Sequence, residues 1–248
     1  MPTPFTHLRI THRLLEDPEI PNTIRALLDN YRADFYLAGV VADAHPKGMS
    51  RSDTHFYHYT EPMPDNPWRE MFRQYPGLKA PQSSRHQVFL MGYVEHLATD
   101  EYWSRNFLKP HIAEADWGRD IYDRFKTLHL LLIYMDERDE KCLPPSIAPL
   151  MRQSEPHLWL PFLPDDAMRD WRDFIADQLQ TGISQTLQIF GSRIQISPEQ
   201  LRKMLDDTHL MQERLWNNIP PSLLADIEER MYSFARQQML IYYNEFFS

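Results

Sequence analysis

Apolar residues recur along this chain at the three- and four-residue intervals of helices that bury one face. The first predicted amphipathic helix lies near the N-terminus, and its stripe comprises Phe5, Leu8, Ile10, Thr11, Leu14 and Leu15. The run from Asp34 to Asp43 predicts a second, almost wholly apolar helix, which Gly39 interrupts and Pro46 stops. A third helical pattern covers residues 89–103.

The C-terminal half of the chain has the same spacing. Its first stripe, from Asp165 to Phe190, contains Trp171, Phe174, Ile175, Leu179, Ile183 and Leu187. Ser197 and Gln200, with a proline between them, predict a capping box at a helix start, and Pro221 opens a last helix. Such stripes are usually packing seams. The pattern predicts an all-α, multi-helix bundle that forms one domain over residues 1–248.

Composition excludes several classes of protein. The 248 residues carry a formal net charge of −9, which disfavours binding to a nucleic-acid backbone. The seven glycines form no dinucleotide or phosphate-loop motif, and the single cysteine, Cys142, excludes an intramolecular disulfide. No secretory signal pattern is present, and no run approaches the ~20 apolar residues that cross a bilayer. We therefore expect a cytoplasmic protein without a membrane-spanning segment.

The most informative polar residues are His96 and Asp100, four residues apart in the third helical pattern. Residues at this spacing share a helix face, and an imidazole and a carboxylate one turn apart can both reach one cation such as zinc. Phe89 and Tyr93 lie on the same face, so we expect the pair to be buried, where an unpartnered carboxylate is unfavourable. The alternative is a hydrogen bond that only fixes one tautomer of the imidazole.

Further ligand-type residues precede this pair. His7 lies in the first predicted helix, Asp43 ends the second, and His55 follows in a polar region together with Asp53 and His58. Spacing alone leaves open whether these last three side chains converge.

An early histidine, residues 37–43 (LAGVVAD), residues 54–56 (THF) and residues 89–100 (FLMGYVEHLATD) follow one another in the first half of the chain. This order resembles the zinc-dependent phospholipase C family and its bacterial relatives. The related single-strand-specific nucleases use a similar arrangement. The resemblance implies an all-helical protein that binds one to three zinc ions, two being the expected number.

Carried over residue by residue, the resemblance implies two zinc sites with a shared ligand. The first ion would be surrounded by Asp43, His55, His96 and Asp100. His7 and Asp100 would contribute to the second, so that Asp100 bridges the two. The secreted members of the family also use an N-terminal tryptophan, whereas this chain begins Met-Pro-Thr-Pro-Phe.

A third metal in that family takes one histidine and a His-x-x-x-Glu pair. The nearest substitute here is His129, with Asp136 seven residues further on and Tyr122 in the same stripe. A histidine that is satisfied within the core explains His129 equally well.

The resemblance implies metal-assisted hydrolysis of a phosphoester, either a soluble small molecule or a phospholipid headgroup. Zinc would lower the pKa of a bound water to ~7. Asp43 is the first candidate for the general base, and Asp53 is the second. The alternatives are a metal-binding helical protein without this activity and a metal-free helical interaction module.

On this interpretation, residues 1–140 are the metal-binding part and residues 141–248 are a C-terminal helical portion. Residues 47–84, rich in proline, are predicted as the longest irregular region, which we expect to cover the site. Arg51, Tyr57 and Trp68 in this region are predicted to be available to a substrate.

Overall fold

The computed structural model describes residues 2–58, 61, 63–181 and 185–247. All regular structure within these residues is helical, and none of them forms a β-strand. This confirms the predicted all-α class.

Thirteen α-helices follow one another along the described residues. They are α1 (Pro4–Glu16), α2 (Asn22–Asn30), α3 (Arg32–Val41), α4 (Arg51–His55), α5 (Pro67–Gln74), α6 (Ser84–Trp103), α7 (Ile121–Cys142), α8 (Ile147–Met151), α9 (Asp165–Thr181), α10 (Thr186–Ile194), α11 (Pro198–Asp206), α12 (Thr208–Met211) and α13 (Pro221–Phe247). A 3-10 turn covers Pro76–Lys79, and π-helical segments extend α6 over Ser104–Ala113 and α12 over Gln212–Trp216.

Side-chain caps define where several of these helices begin. The Ser83 side chain accepts a hydrogen bond from the backbone N–H of His86 at the start of α6, and Ser197 does the same for Gln200 at the start of α11. The Gln200 side chain in turn accepts from the Ser197 N–H, so the predicted capping box is confirmed.

Helix α6 forms the centre of the protein, because it packs against α3 on one side and α13 on another. It is buried almost throughout its length. At Gly92 an added Cβ would lie 2.7 Å from the Cβ of Ala38, and at Gly39 it would collide with the hydroxyl of Thr11. These two glycines let the backbones of α1, α3 and α6 approach closely, which brings the polar residues of the three helices together. One cluster of buried apolar side chains runs from Phe5 to Tyr242.

Three sequence expectations need correction. Residues 47–84 contain α4, α5 and a 3-10 turn rather than one irregular stretch, and the stripe of residues 165–190 is divided between α9 and α10. Ile183 of that stripe lies outside the described residues. Tyr122, in the first turn of α7, is 76% exposed whereas Asp136 is fully buried, so the stripe predicted from Tyr122 to Asp136 is not buried along its whole length.

None of the described helices combines the length and the apolar character that crossing a membrane requires.

Candidate metal centre

Four parts of the fold bring together a cluster of five residues, which we call the His/Asp cluster. His7 comes from α1, Asp43 follows α3, His55 ends α4, and His96 and Asp100 lie one turn apart on α6. All but Asp43 are fully buried, and 15% of the Asp43 side chain is exposed. The structure therefore brings together five residues that the sequence analysis proposed as ligands.

The tautomer of His96 is fixed by its backbone neighbour. Its Nδ1 lies 2.8 Å from the carbonyl oxygen of Gly39, and because a carbonyl can only accept, Nδ1 must donate. The Nε2 of the neutral ring then carries a lone pair, and this atom lies 3.6 Å from Oδ2 of Asp100. A carbonyl behind a histidine is the usual way in which a metal-ligating ring is oriented.

His55 is held at its Nδ1, which lies 2.9 Å from the hydroxyl of Thr54 and 3.2 Å from the carbonyl oxygen of Arg51, so its Nε2 points into the cluster. That Nε2 lies 3.3 Å from Nε2 of His96 and 3.1 Å from Oδ2 of Asp100. When Nδ1 of His55 donates to the Arg51 carbonyl, three acceptor atoms face one another in a buried place and require an extra proton or a cation between them. When the Thr54 hydroxyl donates to Nδ1 instead, Nε2 of His55 carries the proton and donates to Asp100.

His7 is less well satisfied. Its ring stacks on the ring of His96 with a centroid distance of 3.9 Å, and its Nε2 lies 3.3 Å from Oδ1 of Asp100. This contact lacks the alignment of a hydrogen bond, and neither nitrogen of His7 has a hydrogen-bond partner among the described residues. Buried polar atoms are almost always bonded, so His7 and Oδ1 of Asp100 have bonding capacity that an added ligand can fill.

Two overlapping groups within the cluster have the separations that one ion requires. The first is His7, Asp43 and His96, the second is His55, His96 and Asp100, and the ligand atoms of each group lie within 4.8 Å of one another. The groups share His96, whereas the resemblance implies that Asp100 is shared. Asp100 nevertheless contacts His7 through Oδ1 and His55 through Oδ2, as a bridging carboxylate does.

Arg51 supplies a positive charge at the edge of the cluster. Its guanidinium donates to Oδ2 of Asp100 at 2.5 Å and to Oδ1 of Asp43 at 3.1 Å. Two carboxylates against one guanidinium leave one negative charge uncompensated while the imidazoles are neutral. A divalent cation would reverse this imbalance.

The protonation states suit metal binding. Burial acts to raise the pKa of Asp100, but Arg51 and the hydrogen bond from His55 outweigh it and hold the pKa well below its usual range. Burial also acts to raise the pKa of Asp43, but the hydrogen bond from His55 and the charges of His96 and Arg51 outweigh it, so this pKa is lowered as well. Burial, followed by the charge of His7, lowers the pKa of His96 to about 3. Ionised carboxylates and a neutral imidazole are the forms that bind metal ions.

A third buried carboxyl group, Glu95, lies next to the cluster without joining it. Burial raises its pKa to about 8, so it is protonated at neutral pH. The hydroxyl of Thr11 lies 3.1 Å from Oε2 of Glu95 and 3.0 Å from the carbonyl oxygen of His7. A hydroxyl has one proton to donate, so a protonated Glu95 that donates to Thr11 satisfies both contacts.

The remaining predicted site residues lie elsewhere. His129 belongs to neither ligand group, and its Nδ1 lies 2.6 Å from the carbonyl of Phe125. Asp53 is exposed and accepts hydrogen bonds from Ser50 at the start of α4, so its carboxylate serves as a cap.

Two of the expected substrate contacts also need comment. Trp68 is buried and donates to Gln238 of α13, so it is not available to a substrate. Tyr57 is buried but lines the cavity that adjoins the cluster. His45, exposed in the loop that follows α3, belongs to neither ligand group, although its ring lies 6.2 Å from that of His55.

Comparisons of the chain with protein-family models, with curated proteins and with solved structures find no match. The resemblance to the zinc-dependent phospholipase C family therefore stays a prediction that rests on the residues quoted above.

Proposed function

We propose that the His/Asp cluster holds one or two divalent transition-metal ions, with zinc as the best match, and that the protein hydrolyses a phosphoester. Imidazole nitrogens and carboxylate oxygens together are the ligand set that zinc accepts. When bound, such an ion supplies Lewis acidity, which lowers the pKa of water and neutralises charge on phosphoryl oxygens.

One observation carries the proposal. Nε2 of His55, Nε2 of His96 and Oδ2 of Asp100 lie 3.1 to 3.6 Å from one another. The carbonyl of Gly39 holds the His96 ring so that a lone pair of Nε2 faces the interior, and Nε2 of His55 points to the same place. Neither nitrogen of His7, whose ring stacks on His96, has a hydrogen-bond partner among the described residues.

Asp43 is the candidate base, because it is the one of the two cluster carboxylates that lines the adjoining cavity. In the proposed reaction the oxygen of water forms a bond to phosphorus, the ester P–O bond breaks, and Asp43 accepts the proton released by the water. Arg51, which also lines the cavity, can donate to the phosphoryl oxygens of the substrate.

Elemental analysis and a zinc titration of the purified protein test the metal site directly. We expect one or two ions per chain, and loss of binding in His96→Ala. His86→Ala is the matched control, since His86 is also a buried histidine of α6 but stacks on Trp159 outside the cluster. Equal metal content in both variants would contradict the proposed site.

Hydrolysis of bis(4-nitrophenyl) phosphate tests the reaction. We expect turnover by the zinc-loaded protein, its loss in His96→Ala and its retention in His86→Ala. Metal binding without turnover on a panel of phosphodiesters and phosphomonoesters would leave a metal-binding protein and would reject the hydrolase.

The ion pairs of Arg51 favour a second candidate function. If His55 carries an extra proton, the guanidinium and the imidazolium together neutralise Asp43 and Asp100, and the cluster becomes a structural network in a metal-free helical protein. This candidate predicts purified protein without metal and a melting temperature that is unchanged by zinc or by chelators.

A further inference from the structure

A cavity of about 1150 Å³ adjoins the His/Asp cluster. Asp43, His45 and Arg51 line it on the side of the cluster. Sites for small molecules are usually ~300–1,000 Å³. The space is therefore much larger than a phosphate group alone would occupy, and its remaining walls indicate what else it holds.

Away from the cluster, the walls of the cavity are mainly apolar. They come from α7, α9 and α10, and the side chains that form them include Phe125, Leu128, Leu132, Ile175, Ile189 and Phe190. An apolar ligand placed between these helices removes apolar surface of both ligand and protein from water, which favours binding.

The polar side chains in this part of the cavity are bonded to the protein itself. Nδ1 of His129 donates to the carbonyl of Phe125 at 2.6 Å. The hydroxyl of Thr186 donates to Asp136 at 2.5 Å. These contacts tie the polar groups to the helices that carry them, so the apolar side chains are left to select the ligand.

The mouth of the cavity is polar. Its exposed lining residues are His45, His58, Glu61, Lys109 and Arg193. The large apolar side chains that are exposed within the described residues are Ile121, Tyr122, Tyr134 and Leu158, and none of them lines the cavity. Proteins that take ligands directly from a membrane present apolar surface at the entrance. The mouth is instead suited to an anionic molecule that arrives from water.

We propose that the cavity holds the single alkyl chain of an amphiphilic phosphoester, which enters as one dissolved molecule and places its phosphoester group at Asp43 and Arg51. This inference names the substrate class and rests on the proposed function. The apolar walls bind the chain, and the basic groups at the mouth attract the anionic end.

Two chromogenic diesters with the same leaving group test the inference, methyl 4-nitrophenyl phosphate and dodecyl 4-nitrophenyl phosphate, each below its aggregation limit. Zinc-loaded protein should show a KM for the dodecyl diester at least ~100-fold lower, since each buried methylene contributes roughly fourfold. Binding of dodecyl phosphate is measured separately, by displacement of a fluorescent apolar dye from metal-free and from zinc-loaded protein.

Ile189→Asp places a charge in the apolar wall and should weaken dodecyl phosphate binding more than tenfold, with little change for the methyl diester. Leu187→Asp is the matched control, because Leu187 is also half-buried on α10 but does not line the cavity. Leu132→Trp, which fills the cavity, should give the same selective loss as Ile189→Asp.

The outcomes separate the two proposals. Hydrolysis of both diesters with similar KM values, or a preference for two-chain phospholipids in vesicles, would overturn the alkyl-chain site and leave the hydrolase intact. Dodecyl phosphate binding that Ile189→Asp weakens, without hydrolysis of either diester, would support the chain site and overturn the proposed function.

Discussion

Two groups of charged side chains include residues of α1, one almost fully buried and the other partly buried, and their charges are compensated in different ways. The first is the His/Asp cluster. The second, which we call the ion-pair cluster, consists of Arg9 on α1, Arg138 and Asp139 on α7, and Glu228 on α13.

The ion-pair cluster is balanced in charge, and among its buried side-chain atoms only Nε of Arg9 lacks an aligned hydrogen bond within the described residues. Two arginines face two carboxylates, and both oxygens of Asp139 and of Glu228 accept hydrogen bonds or ion pairs from Arg9, Arg138 or Thr6. The His/Asp cluster has two carboxylates for one guanidinium, and several of its atoms lack hydrogen-bond partners. Burial of charge by itself therefore does not indicate a site. An excess of acceptors in a buried place is more informative, because an added proton or cation is needed to complete it.

The largest expected difference between the clusters follows from changing one fully buried aspartate in each. Asp100→Asn removes the anionic oxygens that contact His7 and His55, so we expect the dissociation constant for zinc to rise more than ~100-fold. Asp139→Asn removes one counter-charge of Arg9 and Arg138, which are about a third exposed and keep Glu228, so it should lower the free energy of unfolding by about 1–3 kcal/mol, with unchanged zinc stoichiometry. Zinc titration and urea unfolding measure the two effects. Equal loss of zinc binding in both variants would contradict the proposal that the His/Asp cluster alone binds the metal.

Adding zinc should stabilise one cluster and leave the other unaffected. At a zinc concentration of about 100 times the dissociation constant, the free energy of unfolding should rise by about 2.7 kcal/mol. For a chain of this size the melting temperature should then rise by ~5–10 °C. Scanning calorimetry should show the same increase in Asp139→Asn, and none in Asp100→Asn. A zinc-dependent increase that survives in Asp100→Asn would place the metal elsewhere.

The sequence predicted the helices better than it predicted the polar contacts between them. The His96 and Asp100 pair followed from helical geometry, since residues four apart share a face whatever surrounds them. The capping box at Ser197 was predictable for the same reason, because it involves residues only three positions apart. The π-helical extension of α6 over Ser104–Ala113 was not predicted, because it replaces the usual i to i+4 hydrogen bonds without any distinctive spacing of side chains.

Contacts between distant segments explain the rest of what was missed. That His55 faces the cluster while Asp53 and His58 face solvent depends on how α4 packs against α6, which spacing does not contain. The pairing of Arg51 with both cluster carboxylates spans 49 residues to Asp100, and the sequence offered Arg51 only as a substrate contact. The protonated state of Glu95, a residue of α6, likewise depends on its burial against α1, which is distant in the sequence.

Glu95 differs from the carboxylates of both clusters, because it is a buried carboxyl group that keeps its proton. Its folded-state pKa of about 8 lies above the ordinary glutamate value of 4.5, so between these values the folded state holds a proton that the unfolded state has lost. Stability from this group therefore falls as pH rises, with a slope of up to about 1.4 kcal/mol per pH unit. Glu95→Gln keeps a donor for Thr11 and should abolish this slope.

The measurement is urea unfolding of metal-free protein between pH 6.5 and 8. His96 does not interfere in this range, because its lowered pKa gives a stability that is lost only as pH falls below 6.5 toward about 3. An identical pH slope in the wild type and in Glu95→Gln would show that Glu95 is ionised in the folded protein.

The smallest expected effect concerns the one cation that the His/Asp cluster already has. The guanidinium of Arg51 competes with a metal ion for Asp43 and Asp100, so Arg51→Gln should lower the dissociation constant for zinc about fivefold, or ~1 kcal/mol. The same change should destabilise the metal-free protein, because two buried carboxylates lose their counter-charge. Arg51→Lys keeps the charge and should leave zinc affinity nearer to that of the wild type.

Arg105→Gln is the matched control for this effect. Arg105 also lines the cavity, but it pairs with Glu101 and Asp65 rather than with the cluster, so its loss should not tighten zinc binding. Weaker zinc binding in Arg51→Gln would mean that Arg51 supports the metal site instead of competing for it. The His/Asp cluster would then resemble the ion-pair cluster, in that each of its charges would contribute to a single stable network.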